Sequence, residues 1–186
     1  MTQSAHGGMF AGNTWRIARW SIAGILLLTP AVMMRISDDW NWSIGDFVLA
    51  AIMIGGVGLL YELAERISVS RAYRAGAGLA LLTAFLTIWA TFVRDDGNGI
   101  GFFLLVLAAM VGAFAAWFRA AGMARAMLGV AAMQALLGIA LATAPDVAAV
   151  PGGAQRALMF CGFFALLWLG SAMLFGAAAR GSGVAR

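Results

Sequence analysis

The stretch AMLGVAAMQALLGIALATA, residues 126–144, decides the fold. It is 19 residues long and carries no charge, close to the roughly 20 apolar residues that a helix needs to cross a hydrocarbon core of about 30 Å. Five more uncharged runs flank it, at 20–34, 47–61, 75–93, 100–118 and 157–179. In lipid every backbone N–H and C=O must be paired within the protein, so such runs form helices or a closed barrel. Barrel strands are about ten residues long and alternate in polarity, and these runs do neither. The sequence predicts six transmembrane helices.

Composition agrees. Of 186 residues, 63% are hydrophobic and 11% charged, against roughly 45 to 50% and 25% in a soluble domain. A soluble globular fold is excluded. The first two runs are the shortest, but Arg19, Arg35 and Glu62 stand at their ends, where long side chains snorkel toward water and extend a span. A polar lead before the first run and Pro30 beside Thr29 and Ala31 make a poor signal-peptide cleavage site, so the first helix is expected to be retained. Connections at 67–74, 94–99 and 119–125 are short, which makes neighbouring helices antiparallel. The expected fold class is an all-α polytopic membrane protein, an antiparallel six-transmembrane-helix bundle over residues 15–180. Residues 1–14 and 181–186 read as flexible cytoplasmic tails.

All twelve cations are arginines, since the chain contains no lysine. Arg16, Arg19, Arg66, Arg71, Arg74, Arg119, Arg125, Arg180 and Arg186 fall on one side, with Glu62 and Glu65 as the acids there. The other side carries Arg35, Arg94 and Arg156 with Asp38, Asp39, Asp46, Asp95, Asp96 and Asp146. Short cytoplasmic loops retain positive charge, so the arginine-rich side is cytoplasmic and both termini lie there. Trp15, Trp20, Tyr61, Tyr73 and Trp117 near that side, and Trp40, Trp42 and Trp89 near the other, suit the aromatic belts of a bilayer. The net charge of +4 points to neither a nucleic-acid nor an anionic-lipid partner, since no loop gathers the roughly 4 to 8 clustered cations of a lipid headgroup site.

Polar residues at membrane depth are the default site candidates. Gln134 is the ninth residue of its 19-residue run, close to the midplane, and Gly138 and Ala142 follow on its face at i+4 spacing. Its amide is either an interhelical hydrogen bonder or a polar handle in a cavity. Thr83, Thr87 and Thr91 form a stripe beside Gly76, Ala80 and Ala84. Their hydroxyls can bond to the carbonyl four residues earlier, and a contact between Thr83 and Gln134 is geometrically open at half depth. Ala108, Gly112 and Ala116 form another small-residue ridge suited to close helix packing. Cys161 reads as a small buried hydrophobe.

The outer run Asp38, Asp39, Trp40, Asn41, Trp42 and Asp46 is an acidic patch with the oxygen donors of a hard-cation site but not the spacing of an EF-hand. Asp95, Asp96 and Asn98 repeat Asp38, Asp39 and Asn41 at an offset of 57, a hint of duplicated hairpins. On the inner side Glu62 and Arg66 stand at i and i+4, an ion pair worth a few tenths of a kcal/mol.

Absences narrow the chemistry further. Without lysine there is no retinal Schiff base, and with one histidine, His6, and one cysteine there is no bis-histidine haem, no HExxH zinc site and no internal redox pair. All six aspartates lie in outer loops, so intramembrane aspartyl chemistry lacks its pair of buried carboxylates. Neither a cofactor nor a metal is expected, and an enzyme is not the expected reading.

The set Asn41, Trp42, Asp46 and Phe47, then Tyr61, Glu62 and Leu63, then Tyr73, Arg74 and Trp89 resembles an uncharacterised family of small multi-helix bacterial inner-membrane proteins. The resemblance covers about the first half of the chain. It implies a location in the bacterial inner membrane and transfers no catalytic or binding role. Members have an apolar stretch after the third helix, where this chain has Arg94, Asp95, Asp96 and Gly97. The expected function is a non-catalytic accessory or scaffolding subunit whose partners are the bilayer and another membrane protein or a second copy. The alternative is a small transporter or channel for a neutral or lipidic solute, lined by Gln134 and Thr83.

Overall fold

The computed structural model describes residues 7–94 and 99–183, with side chains described over 14–94 and 99–181. Among these residues the regular structure is all helix, joined by turns and short irregular segments, without a strand. Seven helices follow in order: α1 Gly7–Met33, α2 Ile44–Ile67, α3 Arg71–Arg94, α4 Gly99–Ala115, α5 Ala120–Thr143, the short α6 Pro145–Ala148, and α7 Gly153–Gly183. Five of them are long and apolar enough to cross a membrane: Thr14–Met33 within α1, α2, α3, α5 and Gly153–Gly181 within α7. The fourth apolar run differs from expectation. It yields a helix of 17 residues, about 25 Å long at 1.5 Å per residue, shorter than the five.

The reason lies at its C-terminus. The Phe118 N–H bonds to Ala113 O and the Trp117 N–H to Phe114 O, the pair of bonds that defines a Schellman stop. Trp117 and Phe118 take φ of 49° and 56°, the left-handed region that glycine normally supplies. The Tyr73 hydroxyl donates to Phe118 O at 2.7 Å and helps hold that reversal. Tyr73 is buried, so Tyr73→Phe is expected to cost about 1 to 2 kcal/mol by orphaning the carbonyl, read as a lower midpoint in reversible SDS unfolding.

The described helices also reach into both stretches expected to be tails, since α1 begins at Gly7 and α7 runs to Gly183. Residues 1–6 and 184–186 lie outside the described residues. The stretch expected to be one domain divides into two compact units at Leu60 and Tyr61. In the first, α1 meets α2 where the Trp20 ring lies 3.2 Å from the Cβ position of Gly58. A capping box starts α2: the Asp46 N–H donates to Ser43 Oγ, and the Asp46 carboxylate accepts from the Ser43 N–H at 2.7 Å.

In the second unit, α7 packs on α5 and on α3, and α4 lies against α5 and α3. Small residues permit this. A Cβ on Gly76 would stand 3.3 Å from Leu174 and Phe175, and one on Gly170 would stand 3.2 Å from Leu79. These pairs run α3 and α7 in opposite directions. On the other face of α7, Gly138 of α5 comes so near Cys161 that a Cβ would lie 2.6 Å from the cysteine Cβ. The core between these helices holds Met127, Val130, Phe164, Trp168 and Phe175, with the Tyr73 ring edge-on to Phe175 at 5.0 Å between centroids.

Candidate functional site: the polar layer of the second unit

Four polar side chains are buried among the described residues: Thr83, Thr87, Gln134 and Ser171, each at 0% exposure. The antiparallel register sets their depth. With Leu79 opposite Gly170 and Gly138 opposite Cys161, Thr83 on α3 and Gln134 on α5 come to the same level of α7, near Ala165 and Leu166. Ser171 lies about one and a half turns away on α7 and donates to Gly76 O at 2.8 Å, a hydrogen bond between helices.

The threonines spend their hydroxyls locally. Thr83 donates to Leu79 O at 2.7 Å, Thr87 to Thr83 O at 2.8 Å and Thr91 to Thr87 O at 2.8 Å. The contact between Thr83 and Gln134 left open by the sequence therefore does not form. The carbonyl one turn back is an acceptor always within reach, and it outcompetes an amide on another helix.

Gln134 is left without a hydrogen bond at either amide atom, and the indole N–H of Trp168 is in the same state. The Cys161 thiol stands next to the Gln134 amide without the geometry of a hydrogen bond. Burying an amide without a partner costs about 1 to 3 kcal/mol. This layer is thus uncharged, closed to solvent and only partly satisfied. It contains no acid, base or nucleophile pair that could divide a proton transfer between two groups.

The other candidates lie apart from it. Asp46 is committed to its capping box, and Asp39 accepts from the Ser37 hydroxyl at 3.2 Å. With Asp38 they do not form a cluster able to hold a metal ion among the described residues. Trp40 stacks on Trp42 and Trp42 sits edge-on to Phe47, giving this loop an aromatic rather than an ionic framework. Asp95 and Asp96 lie outside the described residues. Glu62 and Arg66 form their ion pair at 3.9 Å, with the Arg66 side chain 75% exposed, a geometry worth at most a few tenths of a kcal/mol. Nearby, Arg74 ties the α2–α3 turn through Ser68 O at 2.8 Å and Glu65 O at 3.1 Å.

No protein family, curated relative or solved structure matches this chain.

Ser171 and the Tyr73 hydroxyl are the polar contacts that sequence reasoning passed over. A hydroxyl in the middle of the last apolar run was the available signal for Ser171. Its acceptor, the carbonyl of a glycine 95 residues away, leaves no trace in side-chain pattern.

Proposed function

We propose that the chain is a six-span bundle of the bacterial inner membrane, with both termini cytoplasmic, serving as a non-catalytic accessory or scaffolding subunit. The observation that carries this reading is the exposure of the first unit. Only 6% of the most apolar window of α1 and 11% of that of α2 is buried, against 28% in α5 and 33% in α7. Gly24, Gly55 and Gly56 have nothing within 4 Å of their Cβ positions. Glycine on a lipid-facing surface gains nothing, whereas on a helix that meets another it allows backbones to approach closely.

The polar layer of the second unit supports the same reading, because its hydroxyls hold helices and backbone together and, among the described residues, Tyr73 and Cys161 are the buried side chains that can ionise. Helix α4 is read as the sixth span, since 17 residues is the short limit for crossing. Six crossings put all the arginine-rich connections on one side, as positive-inside retention requires.

Extraction of the full chain from its native membrane into nanodiscs tests the proposal. A partner or second copy at fixed stoichiometry is expected, released by Gly55→Leu with Gly56→Leu while the chain stays folded. A lone particle, or one whose size the double variant leaves unchanged, overturns it. A C-terminal reporter active only in the periplasm overturns the even number of spans.

A further inference from the structure

Segments far apart in the sequence meet at one end of the second unit. Gly138 stands opposite Cys161, so nineteen residues back along α5 and nineteen on along α7, Arg119 comes opposite Arg180. Leu79 stands opposite Gly170, so eight residues back along α3, Arg71 faces the turn of α7 that ends at Arg180. The Tyr73 hydroxyl bond to Phe118 O ties the α2–α3 and α4–α5 connections together at this level. Arg125 follows Arg119 within two turns of α5. No single loop holds a cluster of cations, and the fold assembles one.

Arg71, Arg119, Arg125 and Arg180 are all exposed. Among the described residues none of these four guanidinium groups is paired with a carboxylate or spent on a hydrogen bond. Arg66 and Arg74, at the same end, are engaged by the Glu62 carboxylate and by the carbonyls of Ser68 and Glu65. The acids of the chain do not neutralise this end. All six aspartates lie at or beyond the far ends of α2, α3 and α5, each 24 residues and about 36 Å long. Setting Glu62 and Glu65 against all six arginines still leaves +4. The sequence after Arg180, GSGVAR, adds one more arginine and no acidic side chain.

Directly beneath the cations the surface turns apolar. Leu128 follows Arg125 at i+3 on the same face of α5, Met173 lies two turns below Arg180 on α7, and both are exposed. At the left-handed turn two consecutive aromatic residues part: Phe118 packs on the core, while Trp117, beside Arg119, is 82% exposed. An outward tryptophan next to arginine is the pairing found at the headgroup level of a bilayer.

We propose that this end of the second unit binds anionic phospholipid of the leaflet it meets, with phosphate groups held by Arg71, Arg119, Arg125 and Arg180 and acyl chains running past Leu128. Four cations reach the lower bound of the roughly 4 to 8 that mark such sites. A nucleic acid or a soluble anion leaves Trp117 and the apolar surface unused, and a zwitterionic lipid leaves the excess charge unanswered. The inference goes beyond an accessory role and holds whichever leaflet this end meets.

Native mass spectrometry of the full chain, delipidated in neutral detergent, tests it with dioleoyl phosphatidylglycerol, dioleoyl phosphatidylcholine and inorganic phosphate as probes. Phosphatidylglycerol is expected to be retained at least tenfold better than phosphatidylcholine, which two of the four cations supply at their usual worth beside anionic lipid. Replacing Arg71, Arg119, Arg125 and Arg180 together by glutamine should bring the two lipids within about twofold of each other. The same four positions changed to lysine should keep most of the preference, because charge is restored and a folding defect is not. Arg35→Gln, at the other end of the chain's charge distribution, should leave it unchanged. Equal retention of the two lipids, displacement of phosphatidylglycerol by millimolar phosphate, a preference that survives the glutamine variant, or a lysine variant no better than the glutamine one overturns the proposal.

Discussion

Gly138→Val is expected to destabilise the second unit by about 3 kcal/mol, the upper part of the range for forcing extra methyl groups into a filled interior. A Cβ at this position alone would stand 2.6 Å from the Cys161 Cβ and 3.9 Å from Ala157 O. Relief therefore requires α5 and α7 to separate rather than a side chain to turn. Helix propensity runs the other way, since valine is favoured over glycine within a helix by a few tenths of a kcal/mol, and it is overwhelmed. The measurement is the unfolding midpoint of purified protein in SDS mixed micelles. Size complementarity supplies the control: Gly138→Ala combined with Cys161→Gly should recover most of what Gly138→Ala alone loses, because the two positions share one space. Equal stability of Gly138→Val and the parent would mean that the helices do not meet there.

Gln134→Leu is expected to act in the opposite direction, raising stability by about 1 to 2 kcal/mol. The side chain is fully buried with both amide atoms unpartnered, and an apolar group of similar size removes a desolvation cost of about 1 to 3 kcal/mol without sacrificing a bond. An amide that held helices together would give the reverse sign, a loss near 0.6 kcal/mol, the average for hydrogen bonds between membrane helices. The sign alone decides. A loss in the same micelle assay would establish that the amide has a partner in the folded protein.

Those two residues mark how far the sequence could be read. Lipid selects against charge so strongly that the apolar runs stand out between arginines and acids, and five of the six appear as helices long enough to span. The fourth run extends to Phe118 because nothing in its composition interrupts it. Its helix stops at Ala115 because a tryptophan occupies a backbone position usually marked by glycine. The threonine stripe was visible from its spacing of four, and the carbonyl each hydroxyl uses lies on the same helix, so the local contact follows from local pattern. Whether Gln134 finds a partner depends on the register of α5 against α3 and α7, which no local pattern encodes.

The left-handed turn at Trp117 also fixes a dimension. It ends α4 after 17 residues, near 25 Å, between neighbours of 24 residues each, near 36 Å. With α4 as the proposed sixth span, no bilayer would match both lengths: a thin one would suit the short helix and make the long pair lean, and a thick one would let the pair stand upright and drag headgroups down around the short helix. On that proposal the surrounding membrane would deform unevenly about this protein, and its elastic energy would depend on acyl-chain length through the geometry of one turn.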